Sequence, residues 1–369
     1  MKSVWKGRIQ HIKKKIEDKD VMFLYIASGV VLAGALVLLG WFLFKPTSSL
    51  REIDVQKNNA DAQENEACEI RRYYNGVCED SNTYEKRLVG VMIENHTEAR
   101  PQSGLADAVI VYEAPVEANY TRFLALYPLN TDVEKIGPVR SARPYYLDWL
   151  AEFGKPMYMH VGGSPEALNL IAQRKLFDVN EFSRGWYFWR SKDRYAPHNT
   201  YTSGELFRAA WDEYGEVFDE EFTTSSWQYS DEIICDISCV REIEIEFALP
   251  SYVARWKYNT STEQFERYQI EGKHKDQNGT PIVADTVIVQ HVSSDVIDNI
   301  GRKRIGTVGI GKAVVFAKGK MTVGRWEKPS HVSKTQWLDD EGNPIELAPG
   351  TIWIEVVGQD SEFSYSMFE

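Results

Sequence analysis

The feature that most constrains this chain is a run of 24 residues without a charged side chain. It covers residues 21–44, VMFLYIASGVVLAGALVLLGWFLF. A helix of that length rises about 36 Å and can cross the hydrocarbon core of a bilayer, which is roughly 30 Å thick. Residues 1–20 carry seven lysines and arginines, and basic flanks stay in the cytoplasm. We therefore expect a single-pass transmembrane helix, a cytoplasmic tail at 1–20 and an extracytoplasmic remainder.

A cleaved signal peptide is the alternative interpretation of this run. A signal peptide has a shorter apolar core, followed by small residues at a cleavage site. Here Trp41, Phe42 and Phe44 end the run, and Lys45 and Pro46 follow. We favour an uncleaved anchor. The run contains no cysteine to which a lipid could be attached.

The charge balance limits the classes of partner. The chain has a formal net charge of -12 at pH 7, whereas nucleic-acid binding requires a basic surface. We therefore expect no nucleic acid as partner. A local cluster of arginines is then unusual enough to need an explanation.

The four cysteines are Cys68, Cys78, Cys235 and Cys239. Disulfides are permitted outside the cytoplasm, and Cys68 and Cys78 enclose an Asn-Gly turn signal, so a local disulfide is the first expectation. Cys235 and Cys239 can form a second small loop if a turn brings the sulfurs together. A zinc site that uses all four is less favoured, because no paired Cys-x-x-Cys is present.

The rest of the chain divides by composition. Residues 45–84 are expected to be an extracytoplasmic linker that carries the first cysteine pair, and the folded region is expected to start near Tyr84. Residues 85–220 mix apolar strand runs with helices such as 144–153, 166–175 and 203–214, which is typical of an α+β or α/β domain. An acidic segment at 221–240 is expected to separate it from 241–369, where short strands and turns predict mostly antiparallel β structure.

Three stretches of the N-terminal domain share a strand end, a turn and a serine beside Pro or Gly near a helix start. They are 99–108, 137–146 and 160–169. Helix N-termini and nearby glycines can bind anions, although for 160–169 a plain capped helix explains the pattern as well. The candidate ligand-binding residues are Arg100, Gln102, Ser103, Arg140, Ser141, Arg143, His160, Gly162, Gly163, Ser164, His198 and Asn199.

Arg140 and Arg143 are the most informative of these candidates. Arg143 is predicted near the N-cap of the helix that begins at Pro144, where a cation is disfavoured by roughly 0.3–1 kcal/mol. Such a cation usually has an anion nearby, either a ligand or an internal carboxylate. The internal partners that the sequence offers are Asp107, Glu113 and Glu117. Ligand and internal pair remain open alternatives.

The histidines suggest a second class of function. His160 ends a strand, and His198 lies in a polar loop, so either can transfer protons, with Glu113 or Glu117 as the orienting carboxylate. A hydrogen-bonded structural histidine is the alternative. The sequence shows no His-x-His, His-Glu-x-x-His or calcium-loop motif, so we expect no metal and no cofactor.

Two long blocks of sequence resemble a known family. VMIENHTEARPQSGLADAVIVYEAPVEANYTRFLALY, EKIGPVRSAR and HVGGSPEAL lie in the first half, and GKAVVFAKGKMTVGRWEK and GTIWIEVV in the second. They resemble the YerB-like family of bacterial envelope proteins. The resemblance implies a two-domain, usually lipidated, extracytoplasmic protein whose N-terminal domain is a layered α/β sandwich. It implies no reaction, and this chain departs from it by placing a membrane helix where a lipidated cysteine is usual.

Three functions follow as expectations for a protein anchored in the bacterial cell membrane. The first is binding of an anionic ligand, such as a wall polymer, a phosphorylated glycan or an acidic partner segment, through an Arg/Gly-Ser cleft. The second is an enzyme that acts on an envelope polymer with a His/Glu acid–base pair. The third is a scaffold that has no small ligand and binds another envelope protein.

Overall fold

The computed structural model describes residues 68–218, 225–235 and 238–368. The predicted cytoplasmic tail, the transmembrane run at 21–44 and the linker up to residue 67 lie outside the described residues. Within the described ranges, no helix is long and apolar enough to cross a membrane.

The described chain is mixed α+β, with few helices and many strands. Three α-helices occur in the described residues, α1 (Pro144–Leu150), α2 (Pro165–Arg174) and α3 (Gly204–Tyr214). The strands of the first half are β1 (Ile70–Arg71), β2 (Cys78–Glu79), β3 (Leu88–Glu94), β4 (Ile110–Pro115), β5 (Thr121–Pro128), β6 (Met157–His160), β7 (Asp178–Asn180), β8 (Trp189–Arg190) and β9 (Thr200–Tyr201). Those of the second half are β10 (Val240–Ile245), β11 (Ala254–Asn259), β12 (Gln264–Gln269), β13 (Gly272–Lys273), β14 (Val283–Ala284), β15 (Thr286–Val292), β16 (Ser294–Val296), β17 (Lys303–Ile305), β18 (Gly309–Ala317), β19 (Lys320–Lys328), β20 (Gln336–Leu338), β21 (Ile352–Gly358) and β22 (Phe363–Met367).

A ten-stranded mixed sheet forms the centre of the fold. Its strand order is β20-β19-β18-β15-β21-β4-β5-β3-β6-β7. The two halves of the chain therefore share one sheet, joined where β21 pairs in parallel with β4 and Ile352 lies opposite Ile110. Strands covered on both faces are expected to be apolar throughout, and all seven residues of β3 are buried.

Packed layers cover both faces of this sheet. On one face, α3 and the antiparallel sheet of β10–β14 and β22 enclose a core that includes Phe207, Trp211 and Trp256. On the other face, α1 and α2 enclose a core that includes Trp149 and Ile171. The large sheet and the antiparallel β structure of the second half agree with the predicted fold class.

Local capping explains where the helices begin. The Ser164 hydroxyl accepts from the Ala167 N–H at the start of α2, and Ser203 caps α3 in the same way through the Leu206 N–H. Arg143 occupies the N-cap of α1, and Pro144 is its first residue. The capped start of α2 and the position of Arg143 before Pro144 are predicted from the sequence, and the structure confirms both.

The packed body begins at Cys68, earlier than the start near Tyr84 that composition predicts. Residues 68–79 form a hairpin closed by the predicted Cys68–Cys78 disulfide. Its turn buries Tyr73 and Tyr74, and the Tyr74 hydroxyl donates to Glu85 O at 3.1 Å. The two buried tyrosine rings therefore hold this hairpin against the folded body, although its polar composition is typical of a linker. Cys235 and Cys239 are also bonded to each other.

Candidate functional site

The candidate site lies at the carboxyl end of β3. Segment 138–142 runs beside this end, because the Glu94 N–H donates to Pro138 O at 2.9 Å and the Arg140 N–H donates to Met92 O at 2.8 Å. This pairing places Arg140 against Glu94, whose Oε1 accepts from Arg140 Nε at 2.8 Å. Strands β3 and β6 are parallel, so their carboxyl ends open at the same sheet edge, where open α/β sheets bind ligands.

The three predicted stretches are neighbours in the fold. The Ser103 N–H donates to Gly137 O at 2.8 Å, which joins the first stretch to the second. The Ala142 N–H donates to Gly162 O at 3.0 Å, which joins the second to the third. Segments separated by up to about 60 residues in the sequence thus meet through backbone hydrogen bonds.

The loop between β8 and β9 brings His198 to the same edge. Its Nδ1 lies 2.9 Å from Glu94 Oε2, and its Nε2 lies 3.0 Å from Glu98 Oε2. The loop is held in place because the Val139 N–H donates to Thr200 O at 2.7 Å. Both ring nitrogens of His198 therefore face carboxylates.

His96 completes the group by stacking on His198. The two ring centroids are 4.7 Å apart with an interplanar angle of 19°, and the His96 ring also makes an edge-on contact with Tyr120. Its Nδ1 accepts from the Glu98 N–H at 3.2 Å. Partial burial and the neighbouring His198 lower the pKa of His96 below its usual value.

We refer to Glu94, His96, Glu98, Arg140 and His198 as the histidine cluster. Its floor is buried, with 6 % of the Glu94 side chain exposed, whereas 71 % of the Glu98 side chain is exposed at the rim. The cluster therefore combines two imidazoles, two carboxylates and one guanidinium in a site that is open on one side. Such a set can bind a cation, hold an acidic group or transfer a proton.

Arg143, in contrast, is fully paired inside the fold. Its Nε and Nη2 donate to the Glu117 carboxylate, and its Nη1 donates to Ala142 O. Arg122 lies on the other side of Glu117, with Nη2 4.0 Å from Oε1, and donates to Ser141 O. Although burial raises the pKa of Glu117, the hydrogen bond from Arg143 and the charge of Arg122 lower it to about 2. Of the two alternatives for Arg143, the internal pair with Glu117 is therefore the one present.

Arg100 is also satisfied by protein groups. Its Nε donates to Asn95 Oδ1 at 3.1 Å, its Nη1 pairs with Glu271 at 3.0 Å, and its Nη2 donates to Ser251 O at 2.9 Å. The guanidinium also lies over the Tyr252 ring. Arg100 thus ties the first half of the chain to the second half.

Arg140 alone of the three predicted arginines keeps donors to spare. Only its Nε is used, in the bond to Glu94. No atom of the described residues forms a hydrogen bond with its Nη1 or Nη2, and 23 % of its side chain is exposed. Two guanidinium nitrogens of Arg140 therefore remain available to a ligand.

The Gly-Gly turn has a structural role. His160 is fully buried, with Nδ1 2.7 Å from Gly162 O and Nε2 2.5 Å from Asp178 Oδ1. These contacts fix the turn between β6 and α2, where Gly162 has a φ of 59° and Gly163 packs near Leu168. With Ser164 used as a cap, this stretch is the capped helix that the alternative interpretation describes.

The remaining predicted residues mostly hold the fold together. The buried Gln102 donates to Glu94 O at 3.0 Å, and its Oε1 lies 2.9 Å from His274 Nε2. The Ser103 hydroxyl donates to Gln277 Oε1 at 2.9 Å. These contacts bridge the two halves.

Ser141 and Asn199 border the histidine cluster in sequence. The Ser141 hydroxyl forms no hydrogen bond with the described residues. The Asn199 amide is engaged with Arg190 Nη1 at 3.0 Å and Ser191 O at 3.1 Å, so it shapes the loop that carries His198.

Glu94 and Glu98 were missed by sequence reasoning. The predicted orienting carboxylates, Glu113 and Glu117, pair instead with Arg267 and Arg143. The one sequence signal was the spacing of His96 and Glu98, two residues apart just after a buried strand. The decisive partner, His198, lies about 100 residues later and could not be connected to them by a local motif.

Comparisons with known proteins agree on one family. Residues 75–216 match the family described as "Protein of unknown function (DUF3048) N-terminal domain", and residues 243–354 match its C-terminal domain. The chain is 28 % identical over 299 residues to "Putative lipoprotein YerB" of Bacillus subtilis. The aligned region covers 80 % of this chain and 89 % of that protein.

The fold agrees with the same relative. A crystal structure of YerB protein from Bacillus subtilis superimposes with a TM-score of 0.69 and 27 % sequence identity, covering 79 % of this chain and 98 % of the other. Both halves match in order, and the resemblance identified from the sequence is confirmed. The chain belongs to the YerB-like family.

Proposed function

We propose that this protein is anchored in the bacterial cell membrane and binds an anionic group of an envelope polymer through Arg140. The proposed anchor is the uncharged run at 21–44, which follows a basic tail. The relative in Bacillus subtilis bears the name of a lipoprotein, which supports a tether at the outer face of the membrane. The packed body that starts at Cys68 then faces the cell wall.

The observation that carries the proposal is the unused half of the Arg140 guanidinium. Glu94 holds Nε, which fixes the planar fork and leaves Nη1 and Nη2 without a partner among the described residues, on a side chain that is 23 % exposed. A fork with two parallel donors suits a carboxylate or a phosphate. Arg100 and Arg143 do not take part, because carboxylates and carbonyls of the protein satisfy them. Of the three arginines predicted to bind a ligand, only Arg140 is therefore retained in the proposed site.

Calorimetric titration of the full-length protein in detergent with phosphorylated wall-polymer fragments tests this proposal. Arg140→Gln removes a charge-assisted hydrogen bond worth about 1.5–3 kcal/mol, so we expect the affinity to fall by about tenfold or more. Arg241→Gln is the matched control, since Arg241 is an exposed arginine of β10. Equal affinity of wild type and Arg140→Gln would contradict the proposal and favour a scaffold without a small ligand.

A second candidate function is hydrolysis of an envelope polymer. The observation that favours it is the 2.9 Å contact between His198 and Glu94 beside Arg140, because an imidazole oriented by a carboxylate can act as acid or base. Release of product from phosphorylated wall polymer by the wild type, and its loss in His198→Gln, is the expected result. Absence of turnover by the wild type removes this candidate.

A further inference from the structure

We propose that His96, Glu98 and His198 form a binding site for a divalent metal ion of the zinc type. The ion and Arg140 then jointly bind a phosphate group of the ligand. The first part stands on the geometry of the three side chains alone. The second part rests on the proposed function, because it requires an anion at Arg140.

The three side chains are close enough to coordinate one ion. Each offers one ligand atom, and these atoms all lie within 4.8 Å of one another. Zinc binds imidazole nitrogen and carboxylate oxygen at about 2.0–2.2 Å in tetrahedral geometry, so ligand atoms around one ion are about 3.3–3.6 Å apart. The site therefore requires side-chain rotations of His96 and of the exposed Glu98 that bring the ligand atoms closer together.

His198 is oriented as a metal ligand would be. Glu94 Oε2 faces its Nδ1 at 2.9 Å, and Arg140 fixes Glu94 in turn through Oε1. A carboxylate on one ring nitrogen sets the tautomer and directs the other nitrogen to the metal. The other nitrogen, Nε2, faces Glu98.

The contact between His198 and Glu98 brings two possible metal ligands together. Nε2 of His198 lies 3.0 Å from Oε2 of Glu98, at the exposed rim of the cluster. One metal ion can use both atoms as ligands. The mixed imidazole and carboxylate set suits zinc and similar transition metals.

The local charge also favours a divalent metal ion at this position. The cluster holds two carboxylates and one guanidinium, so a divalent ion changes an excess of negative charge into an excess of positive charge. Three protein ligands leave a coordination position open, as in zinc sites that bind water or substrate. A phosphate can bridge that position and the free nitrogens of Arg140, because metal ions and guanidinium groups both bind phosphate oxygens.

Calorimetric titration of chelator-treated, untagged full-length protein with zinc chloride tests the metal site. The expected result is one site per chain, with affinity at least tenfold weaker in Glu98→Gln and lost in the His96→Gln/His198→Gln double variant. Glu98 is exposed, so its variant is expected to keep the wild-type fold and circular dichroism. His331→Gln, at an exposed histidine, is the control. Absence of zinc binding by the wild type, or unchanged binding by both variants, overturns the site.

A second titration, with inorganic phosphate, tests the joint site. We expect phosphate to bind the zinc-loaded wild type at least tenfold more tightly than the zinc-free protein, and to lose this gain in Arg140→Gln. If zinc binds but does not change phosphate affinity, the joint site is overturned while the metal site stands. If phosphate binds equally with and without zinc and depends on Arg140, the joint site again fails but the proposed function stands.

Discussion

Glu113 of the first half and Arg267 of the second half form an ion pair that is closed to solvent. Their side chains are 0 % and 1 % exposed, and Nη2 of Arg267 donates to Oε2 of Glu113. Nε of Arg267 also lies 3.7 Å from Oε1 of Glu355, and its Nη1 lies 3.0 Å from Nδ1 of His274. One guanidinium therefore serves two buried carboxylates at the junction of the halves.

We predict that Arg267→Met destabilises the fold strongly. It leaves Glu113 and Glu355 buried without a cation, and removing one partner of a buried pair costs about 3–5 kcal/mol. Burial and the charge of Glu113 already raise the pKa of Glu355 well above its usual range. Urea denaturation measures the free energy of unfolding, with Arg241→Met as the surface control. A loss below about 1 kcal/mol would show that the pair does not hold the halves together.

We predict that Lys334→Met stabilises the protein near neutral pH. The ammonium of Lys334 lies in an aromatic pocket, 4.1 Å from the ring centroid of Trp227 and 4.3 Å from that of Phe153, and no described atom accepts a hydrogen bond from it. Burial lowers its pKa to about 7, whereas in the unfolded chain the pKa is about 10.4. Between these values the unfolded state binds more protons, so the free energy of unfolding rises with pH.

The gain in stability from Lys334→Met is accordingly largest below about pH 7, where the folded state holds a buried charge, and shrinks toward about pH 10. Thermal unfolding at several pH values checks this. Lys320→Met, at an exposed lysine of β19, is the control. A melting temperature that is lowered by Lys334→Met at about pH 6 would refute the assignment of a buried, strained ammonium.

We predict that removing the Cys68–Cys78 disulfide with a double serine variant costs about 2–3 kcal/mol, the loop-closure value for a loop of about ten residues. The hairpin it closes inserts Tyr73 and Tyr74 into the core, so its release exposes both rings. Denaturation of the variant beside the corresponding Cys235/Cys239 variant measures this effect. Removing the Cys235–Cys239 disulfide is expected to lower the free energy of unfolding by less, because this disulfide closes a shorter loop. Unchanged stability without Cys68–Cys78 would contradict a structural role for the hairpin.

We predict that Gly162→Ala destabilises the edge of the candidate site by about 1 kcal/mol or more. Gly162 has a φ of 59°, and an added Cβ would lie 2.6 Å from Cε2 of Phe182. Gly185→Ala is the matched control, because an added Cβ there meets no atom within 4 Å. Differential scanning calorimetry compares the two. Equal melting temperatures would show that the turn tolerates a side chain.

Local features of the fold could be predicted from the sequence. β3 follows from an uninterrupted apolar run, and α2 follows from Ser164 and Pro165 before an amphipathic segment. Arg143 is predicted at the N-cap of α1 because Pro144 marks the first helical position. Each of these depends on residues a few positions apart, which is the range over which capping and periodicity act.

Long-range relationships could not be predicted in this way. Ile110 and Ile352 pair across 242 positions, and His198 reaches Glu94 across 104. Nothing local in the sequence indicates which carboxylate an arginine will meet, so the partners of Arg100 and Arg140 became known only from the fold. The predicted stretches 99–108, 137–146 and 160–169 are joined by backbone hydrogen bonds in the fold. Arg140 and His198 of the histidine cluster are among the predicted residues, whereas Glu94 and Glu98 are not.

The most direct test of the central claim is a crystal structure of the protein with a phosphorylated wall-polymer fragment. The account predicts a phosphate within hydrogen-bond distance of Nη1 or Nη2 of Arg140, beside His198, with the bond between Arg140 and Glu94 retained. A fragment bound elsewhere, with only solvent beside Nη1 and Nη2 of Arg140, would contradict it.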